Sequence, residues 1–196
     1  MSDNTRVADG SDSATFRPSD RFAGRTIHGI PLFAQELAAD PALQVSGLVA
    51  APGRLTPSDL RHLERVSYRE IRTGDAGQMP DVPWAGVRLL DVVALAGLLP
   101  EANFLRVCGG PYCRPIALAE ATSALLCDDV GGEPLGPEGG GPWRLVIPND
   151  RYNYSVKWVS AIEVTSEPGE DTVAKIAVAR ARARASAARR AESSPT

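Results

Sequence analysis

Residues 83–107, PWAGVRLLDVVALAGLLPEANFLRV, decide the fold of this chain. The segment opens on a W-x-G-V turn, and its apolar run from Leu89 to Leu98 predicts a short helix. The stretch FLRVCGG that overlaps its end is typical of a short strand. The segment therefore predicts a turn, a helix and a strand in close succession.

The segments on either side extend this mixture. LQVSGLV, from Leu43, alternates apolar and polar residues as a strand does, and Thr56-Pro57 with Asp59 predicts a capped helix start. We predict further strands at VSYREIRTG, WRLVIP and VKWVSAIEVT, and a helix at IALAEATSALL. GGEPLGPEGGGP, residues 131–142, must turn sharply or bring backbone close to another group. Without alternating βαβ units, these elements predict an α+β fold with mixed or antiparallel sheets.

Composition excludes several classes of protein. The chain has 196 residues, 43% of them hydrophobic, and a formal net charge of −3, which predicts one soluble domain with tails. Arg88 and Asp91 interrupt the longest apolar run well short of the roughly 18 residues that a transmembrane helix needs, and the acidic N-terminus lacks a secretory signal. We expect no membrane partner.

The cysteines are few. The chain has three, Cys108, Cys113 and Cys127, and this small odd number does not suit a disulfide framework. It predicts that the protein resides in a reducing cytoplasm. Cys108-x4-Cys113 has no second pair, so a zinc site is not expected either.

Three parts follow from the local composition. Residues 1–21 are predicted to be a disordered tail, 22–168 the folded domain, and 169–196 a basic, Ala/Arg-rich tail that forms a helix or stays solvated. No aromatic residues interleave its arginines, which argues against nucleic acid as a partner. The oligomeric state is left open.

Three stretches resemble a known family in the order in which their motifs follow one another along the chain. The chain resembles the oxidoreductase molybdopterin-binding domain, the fold of sulfite oxidases, over roughly residues 43–166, through the motifs W-x-G-V at Trp84–Val87, G-x-P-L before the glycine loop and S-V-K-W at Ser155–Trp158. The resemblance implies a sulfite-oxidase-like α+β fold. It also implies a molybdenum ion held by a pyranopterin dithiolene and a Cys thiolate, with cationic side chains on the pterin phosphate.

The chain departs from that pattern where the metal would be bound. The family's metal-ligating Cys falls on Thr73 or Gly74, and a His that meets the cofactor phosphate falls on Gly139. The cation that often precedes S-V-K-W is replaced by Tyr154. These departures predict that molybdenum ligation has been lost, with no metal bound and no cofactor as the first expectation; molybdopterin is the alternative.

Other residues of the pattern survive. Arg144 and Lys157 match cationic positions of the family and are predicted to bind a phosphate or another anion. The alternative for both is structural, with the Lys157 stem covering the indole of Trp158. Tyr112 matches the family's tyrosine near the metal.

The aromatic residues suggest what else the pocket holds. The predicted lining suits a bulky organic molecule, and consists of Thr73, Gly74, Trp84, Trp143, Tyr152 and Trp158. The alternative for the three tryptophans is a place in the core. The candidate acid–base residues are Tyr112, Asp75 and Tyr154, although Asp75 also suits a turn.

The resulting hypothesis is an enzyme that reuses a sulfite-oxidase-type pocket for a cofactor-independent cyclisation, isomerisation or dehydration. Richness in Ala, Arg, Gly and Pro is typical of actinobacterial proteomes, where such enzymes often serve secondary metabolism. The alternatives are a molybdopterin oxidoreductase with an atypical ligand set and a non-catalytic binding or partner protein.

Overall fold

The computed structural model describes residues 26–27, 29–69, 73–74, 77–78, 83–150 and 155–192. The predicted N-terminal tail, residues 1–21, lies outside them. In chain order the strands are β1 (Thr26–Ile27), β2 (Ile30–Pro31), β3 (Leu43–Gly47), β4 (Gly53–Leu55), β5 (Arg65–Tyr68), β6 (Thr73–Gly74), β7 (Gly77–Gln78), β8 (Trp84–Arg88), β9 (Phe104–Gly109), β10 (Tyr112–Ala117), β11 (Leu125–Val130), β12 (Glu133–Pro134), β13 (Arg144–Val146) and β14 (Ala161–Thr165). The helices are α1 (Leu32–Ala39), α2 (Pro57–Leu60), α3 (Leu89–Ala94), α4 (Leu118–Ala121) and α5 (Thr172–Glu192), and a 3-10 turn spans Pro137–Gly139.

Two sheets carry the architecture. The first has the strand order β10-β9-β14-β3-β4, in which only the β14–β3 pair of this sheet is parallel. The second has the order β12-β11-β8-β5, with β13 also pairing with β11, and its pairs are antiparallel. Short ladders join β1 to β2 and β6 to β7. This arrangement confirms the α+β class with mixed and antiparallel sheets.

The main core draws on both sheets. Alternate residues of β9 and β14 are buried, and the first core cluster combines them with the inward face of α3. A second cluster lies around β8, β11 and β13 and contains Trp84, Cys127, Leu135 and Val146. The site described below lies where the glycine loop, β13 and the segment before β14 meet.

Several local predictions are confirmed. Thr56 and Asp59 form a capping box at the start of α2, with Pro57 in the first turn, because each side chain satisfies a backbone group that a helix end leaves open. The stretches LQVSG and FLRVCG are strands. For the C-terminal stretch the sequence left a helix and a solvated tail open; the stretch is helical, and its first turns pack against β10, burying Val173 and Ile176.

Other predictions are wrong in extent. The helix predicted at IALAEATSALL shrinks to α4, because Ile116 belongs to β10 and Leu125 and Leu126 begin β11. The strand predicted at VKWVSAIEVT starts only at Ala161. Leu125 and Leu126 are buried between β8 and β13, so tertiary pairing outweighs the helical preference of the local sequence.

The expectation of unpaired cysteines is also wrong. Cys108 and Cys113 form a disulfide, with their Cα atoms 4.1 Å apart. They are direct partners across the antiparallel β9–β10 pair, which brings their side chains to the same face. Cys127 is free and buried.

No helix in the described part of the chain combines the length and apolar character that crossing a bilayer requires.

Candidate anion-binding site

The glycine loop packs its backbone directly against other backbone. Gly140 has a φ of 101°, a left-handed conformation that favours glycine. A Cβ on Gly141 would lie 1.7 Å from the carbonyl oxygen of Leu135, so a side chain cannot fit there. The loop therefore turns sharply and also approaches other backbone closely, as its composition predicted.

Arg144, the first residue of β13, lies beneath this loop. Its side chain is among the largest fully buried ones, with only 2% of the residue exposed. Nη1 donates to the carbonyl oxygen of Gly139 at 2.8 Å, Nη2 donates to Oγ of Ser155 at 2.7 Å, and the guanidinium stacks over Trp84 at 5.2 Å from the ring centroid. Arg144 thus ties the loop to the chain just before Lys157.

Trp158 holds the loop from the other side. Its backbone N–H donates to the carbonyl of Gly140 at 2.7 Å, and its indole Nε1–H donates to the carbonyl of Pro137 at 2.6 Å. Its φ of 54° is unusual for a bulky residue, and such backbone strain is often found at functional positions. Phe33 from α1 packs edge-on against the indole at 5.9 Å.

Lys157 is the more accessible counterpart of Arg144. Its aliphatic stem packs against Gly140, where an added Cβ would lie 2.7 Å from Cγ, and its Nζ lies 5.5 Å from the centroid of the Trp158 ring. The residue is half-buried. Among the described residues, no carboxylate or hydrogen-bond acceptor pairs with its ammonium group.

The electrostatics of Lys157 reflect this setting. Burial lowers the pKa of Lys157, and the nearby positive charges of Arg144 and Arg180 lower it further. The charged groups that shift it are therefore both cations. An anion placed here would supply the missing counter-charge and make charge-assisted hydrogen bonds.

We call Trp84, Gly139, Arg144 and Ser155 the inner layer of the site, and Gly140, Lys157 and Trp158 its outer layer. The inner layer is buried or tied together by hydrogen bonds. The outer layer carries a cation with no acidic partner in the described structure. Together they form a cationic site behind a glycine loop.

The β9–β10 hairpin supports the outer layer. A Cβ on Gly109 would lie 1.9 Å from the carbonyl oxygen of Lys157, and the Ser160 N–H donates to the carbonyl of Cys108 at 2.9 Å. Tyr112 faces Gly109 across the hairpin and is half-buried against the core. Tyr112, a predicted acid–base residue, is thus the register partner of the glycine whose backbone packs against that of Lys157.

An ion pair joins the same hairpin to the loop after β13. Arg114 contacts Asp150, and both side chains are mostly buried, at 16% and 24% exposure. This pair ties the chain near residue 150 to β10, on the strand that carries Tyr112. Arg114 and Phe33 carried no recognisable signal in the sequence, because their partners lie on other elements.

The other predicted pocket residues lie in several parts of the chain. Trp84 and Trp143 are buried at 6% and 3% exposure, and Trp143 lies in the main core cluster. Thr73 and Gly74 form β6, paired with Gln78 and Gly77 of β7. Asp75, Tyr152 and Tyr154 lie outside the described residues.

The cysteines do not provide a thiolate for a metal. Cys108 and Cys113 are joined to each other, and Cys127 is 0% exposed in the second cluster. Within the described ranges, no group of three or more His, Cys, Asp or Glu side chains is arranged to hold a metal ion. The side chains present fit an anion such as a phosphate at Lys157, and they do not fit a molybdenum ion ligated by a protein thiolate.

The fold, with its two sheets and its glycine loop, is that of an oxidoreductase-like domain, and the comparisons agree. The model of the oxidoreductase molybdopterin binding domain matches residues 30–173. The chain therefore belongs to the oxidoreductase molybdopterin-binding domain family, with the sulfite-oxidase fold.

Individual relatives match it in part. The uncharacterized oxidoreductase YuiH of Bacillus subtilis (strain 168) is 34% identical over 129 residues, covering 64% of this chain and 65% of that protein. Sulfite oxidase of Arabidopsis thaliana is 28% identical over 161 residues, covering 71% of this chain and 39% of that protein. The crystal structure of the sulfane dehydrogenase SoxCD from Paracoccus pantotrophus superposes with a TM-score of 0.61 at 26% identity, over 66% of this chain and 39% of that one. The chain thus spans less than two thirds of each of these proteins.

Proposed function

We propose that this chain is an enzyme that binds an anionic organic ligand at Lys157 and transforms it without a thiolate-ligated molybdenum ion. The observation that carries the proposal is the half-buried ammonium of Lys157, whose pKa is lowered by burial and by two cations. A charge held in this way costs free energy in the empty protein, and a bound anion offsets that cost. The site is therefore expected to be built for a negatively charged group.

The reaction proposed is a cyclisation, isomerisation or dehydration, in which positioning and acid–base groups suffice. Tyr112 is the acid–base candidate that the structure describes, on the hairpin that backs Lys157. Asp75 and Tyr154 stay candidates from the sequence. The aromatic ring of Trp158 beside Lys157 supports a ligand with an apolar body next to its anionic group. A role in secondary metabolism stays part of this proposal.

A second candidate is a molybdopterin oxidoreductase with an atypical ligand set. It is supported by the place of Lys157 in the S-V-K-W motif and by membership of a molybdopterin-binding family. In that case Lys157 would hold the cofactor phosphate, with Arg144 adding its charge from beneath. The bound group would supply redox chemistry.

Metal and pterin analysis separates the two. The chain is expressed in a host that makes the molybdenum cofactor, beside a sulfite oxidase as the positive control, and both are assayed for molybdenum and for released pterin. We expect molybdenum far below stoichiometric in this chain and near stoichiometric in the control. Stoichiometric molybdenum in the wild type, lost in Lys157→Met, would overturn the proposal in favour of the second candidate.

A matched pair of variants tests the anion site itself. The chain has two lysines, Lys157 and the exposed Lys175, so Lys175→Met controls for the loss of one positive charge. Inorganic phosphate serves as the probe in isothermal titration calorimetry. We expect Lys157→Met to weaken phosphate binding about tenfold or more, as the loss of a charge-assisted hydrogen bond does, and Lys175→Met to leave it unchanged. Equal binding by both variants would overturn the proposal.

A further inference from the structure

The C-terminal helix α5 is fixed to the domain at its start and stands in solvent further on. The hydroxyl of Thr172 donates to the carbonyl of Pro111 at 2.9 Å, and Val173 and Ile176 are buried. From residue 180 to residue 187, by contrast, every residue is exposed. Eight consecutive residues make more than two helical turns and therefore cover every side of the helix. No face of this stretch packs against any part of the chain that the structure describes.

The exposed part of α5 carries a concentrated positive charge. Residues 179–190, ARARARASAARR, contain five arginines and no acidic residue, and we call them the basic segment. Because the whole chain has a net charge of −3, the other residues together carry −8. Arg189 lies thirteen residues beyond the buried Ile176, which is about 20 Å along the helix axis. At physiological ionic strength charges are screened over about 8 Å, so much of the basic segment is insulated from the acidic body.

The arginines of the basic segment lie on two opposite sides of the helix. Arg180 and Arg184 are four residues apart and share one side, which we call the first stripe. Arg182 is two residues from each of them and so lies about 200° around the helix. Arg189 follows Arg182 by seven residues and returns to its side, the second stripe. Most positions between the stripes are alanines, which keep the helix narrow.

Opposed cationic stripes suit a groove with negative charge on both walls. A helix that lies on a membrane surface needs an apolar face, and a helix that pairs with a second copy needs an apolar seam. The largest apolar residue of the basic segment is alanine, so it has neither. The major groove of duplex DNA is about 12 Å wide, admits an α-helix and is bordered by phosphates on both sides. The major groove of duplex RNA is too narrow for side chains to enter.

We propose that the basic segment of α5 binds in the major groove of duplex DNA, with its two stripes on the phosphates of opposite walls. Arginine suits this role, because its planar fork can contact two oxygens of one phosphate. The aromatic residues that the segment lacks serve to stack the bases of single strands, and phosphate contacts to a duplex do not need them. The proposal is independent of the anion site at Lys157, because α5 lies mostly beyond the residues that the family model matches.

Fluorescence anisotropy of a labelled DNA duplex of mixed sequence, about two helical turns long, tests the proposal on the full chain. Four phosphate contacts predict that log K falls against log salt with a slope of about −3.6. The variants Arg180→Gln/Arg184→Gln and Arg182→Gln/Arg189→Gln each remove one stripe. We expect each to halve the slope and to weaken binding about tenfold or more at low salt. An effect of one stripe alone would mean contact with a flat surface and would overturn the groove.

Two controls separate the helix from charge in general. Arg54→Gln/Arg61→Gln removes the same charge from exposed positions on the body and should change affinity by no more than about twofold. Ser186→Pro keeps every charge but breaks the helix between the stripes, and should weaken binding about fivefold or more, whereas Ser186→Ala should not. Equal losses in the body variant, or wild-type binding by Ser186→Pro, would overturn the proposal.

Other polyanions serve as competitors for the labelled duplex. We expect duplex RNA, polyglutamate and vesicles rich in phosphatidylserine to displace DNA only at higher concentrations of negative charge than unlabelled duplex DNA requires. If polyglutamate competes as well as DNA, the partner is an acidic protein, and if the vesicles do, it is a membrane surface. Either result, or a failure of the wild type to bind the duplex at low salt, would overturn the proposal.

Discussion

Arg144 and Lys157 bear the same charge on neighbouring segments of one site, yet their surroundings differ in the property that matters for ligand binding. In the inner layer, Arg144 is 2% exposed and its guanidinium is engaged by Gly139, Ser155 and Trp84. In the outer layer, Lys157 is half-buried, and the groups that shift its pKa leave its charge unopposed. Of two cations that match one family pattern, Arg144 is therefore held by structural contacts, whereas Lys157 keeps a charge without an acidic partner among the described residues.

The largest effect is expected from the loop that covers both layers. Gly141→Ala forces a Cβ into the carbonyl oxygen of Leu135, so the backbone of the loop must move. We expect a loss of about 4 kcal/mol in the free energy of unfolding, measured by urea denaturation. Gly53→Ala is the control, because no atom lies within 4 Å of its added Cβ, and its change should stay within about 1 kcal/mol. Equal stability of the two variants would show that the close approach at Gly141 does not hold the loop.

The inner layer is tested by Arg144→Met, which keeps an unbranched apolar stem and removes the guanidinium with its donors. The carbonyl of Gly139 and the hydroxyl of Ser155 lose those hydrogen bonds. We expect a cost of about 3 kcal/mol in the free energy of unfolding. Arg65→Met removes a surface pairing with Asp128 instead and should cost less than about 1 kcal/mol. A small loss of stability in Arg144→Met would contradict a structural role for Arg144 and favour a ligand-binding role like that proposed for Lys157.

The disulfide provides a further comparison of the two layers, because it joins the strands of the β9–β10 hairpin, and this hairpin packs against the outer layer. For the short loop between Cys108 and Cys113, loop-closure entropy predicts a loss of about 2 kcal/mol on reduction. Hydrogen exchange should then accelerate at residues 156–160, which contact β9, more than at β13. The double variant Cys108→Ser/Cys113→Ser should not respond to reductant. Uniform acceleration in both places would show that the hairpin supports the two layers equally.

The smallest change in stability, of opposite sign, is expected at Lys157. Lys157→Met removes a partly desolvated charge without an acidic partner, and should raise the free energy of unfolding by about 1 kcal/mol while weakening anion binding. Lys175→Met is again the control, and should change neither quantity measurably. A loss of stability in Lys157→Met would mean that its stem and its contact with Trp158 matter more than its charge.

The pH dependence of this gain follows from the lowered pKa. The folded protein releases the Lys157 proton at lower pH than the unfolded chain, whose reference value is 10.5. The unfolded state then binds more protons, so the wild type gains stability as pH rises from the lowered pKa toward 10.5. The advantage of Lys157→Met should therefore be full below that window and shrink within it, as followed by denaturation at several pH values. With Lys175→Arg, Lys157 is the sole lysine, and NMR of its dimethylated amine reports the titration directly. An advantage that grows with pH, or a midpoint at or above 10.5, would contradict the assignment.

Local chemistry explains which parts of this fold the sequence could predict. The cap at Thr56 and Asp59 depends on neighbouring residues alone, so its prediction succeeded. Leu125 and Leu126 form a strand because β8 and β13 flank them, and no local pattern contains that information. The disulfide had an available signal, since a two-residue turn at Gly110-Pro111 places Cys108 opposite Cys113, but the odd number of cysteines was weighted more heavily.

For the site, the sequence located Arg144 and Lys157 but could not divide their roles, because burial depends on the packing of the glycine loop. Asp75, Tyr152 and Tyr154 stay predictions.

The parallel pairing of β14 with β3 has a consequence for how the chain folds during synthesis. Gln44 and Ala161 are register partners although well over a hundred residues separate them. A ribosome that has released β3 and β4 must synthesise most of the remaining chain before the central strand of the first sheet is available. Until then β3 presents an open edge, and such long-range pairing is intrinsically slow. We therefore expect the nascent chain to be vulnerable to aggregation until its last strand emerges, and the candidate anion site, next to β14, to be among the last parts to form.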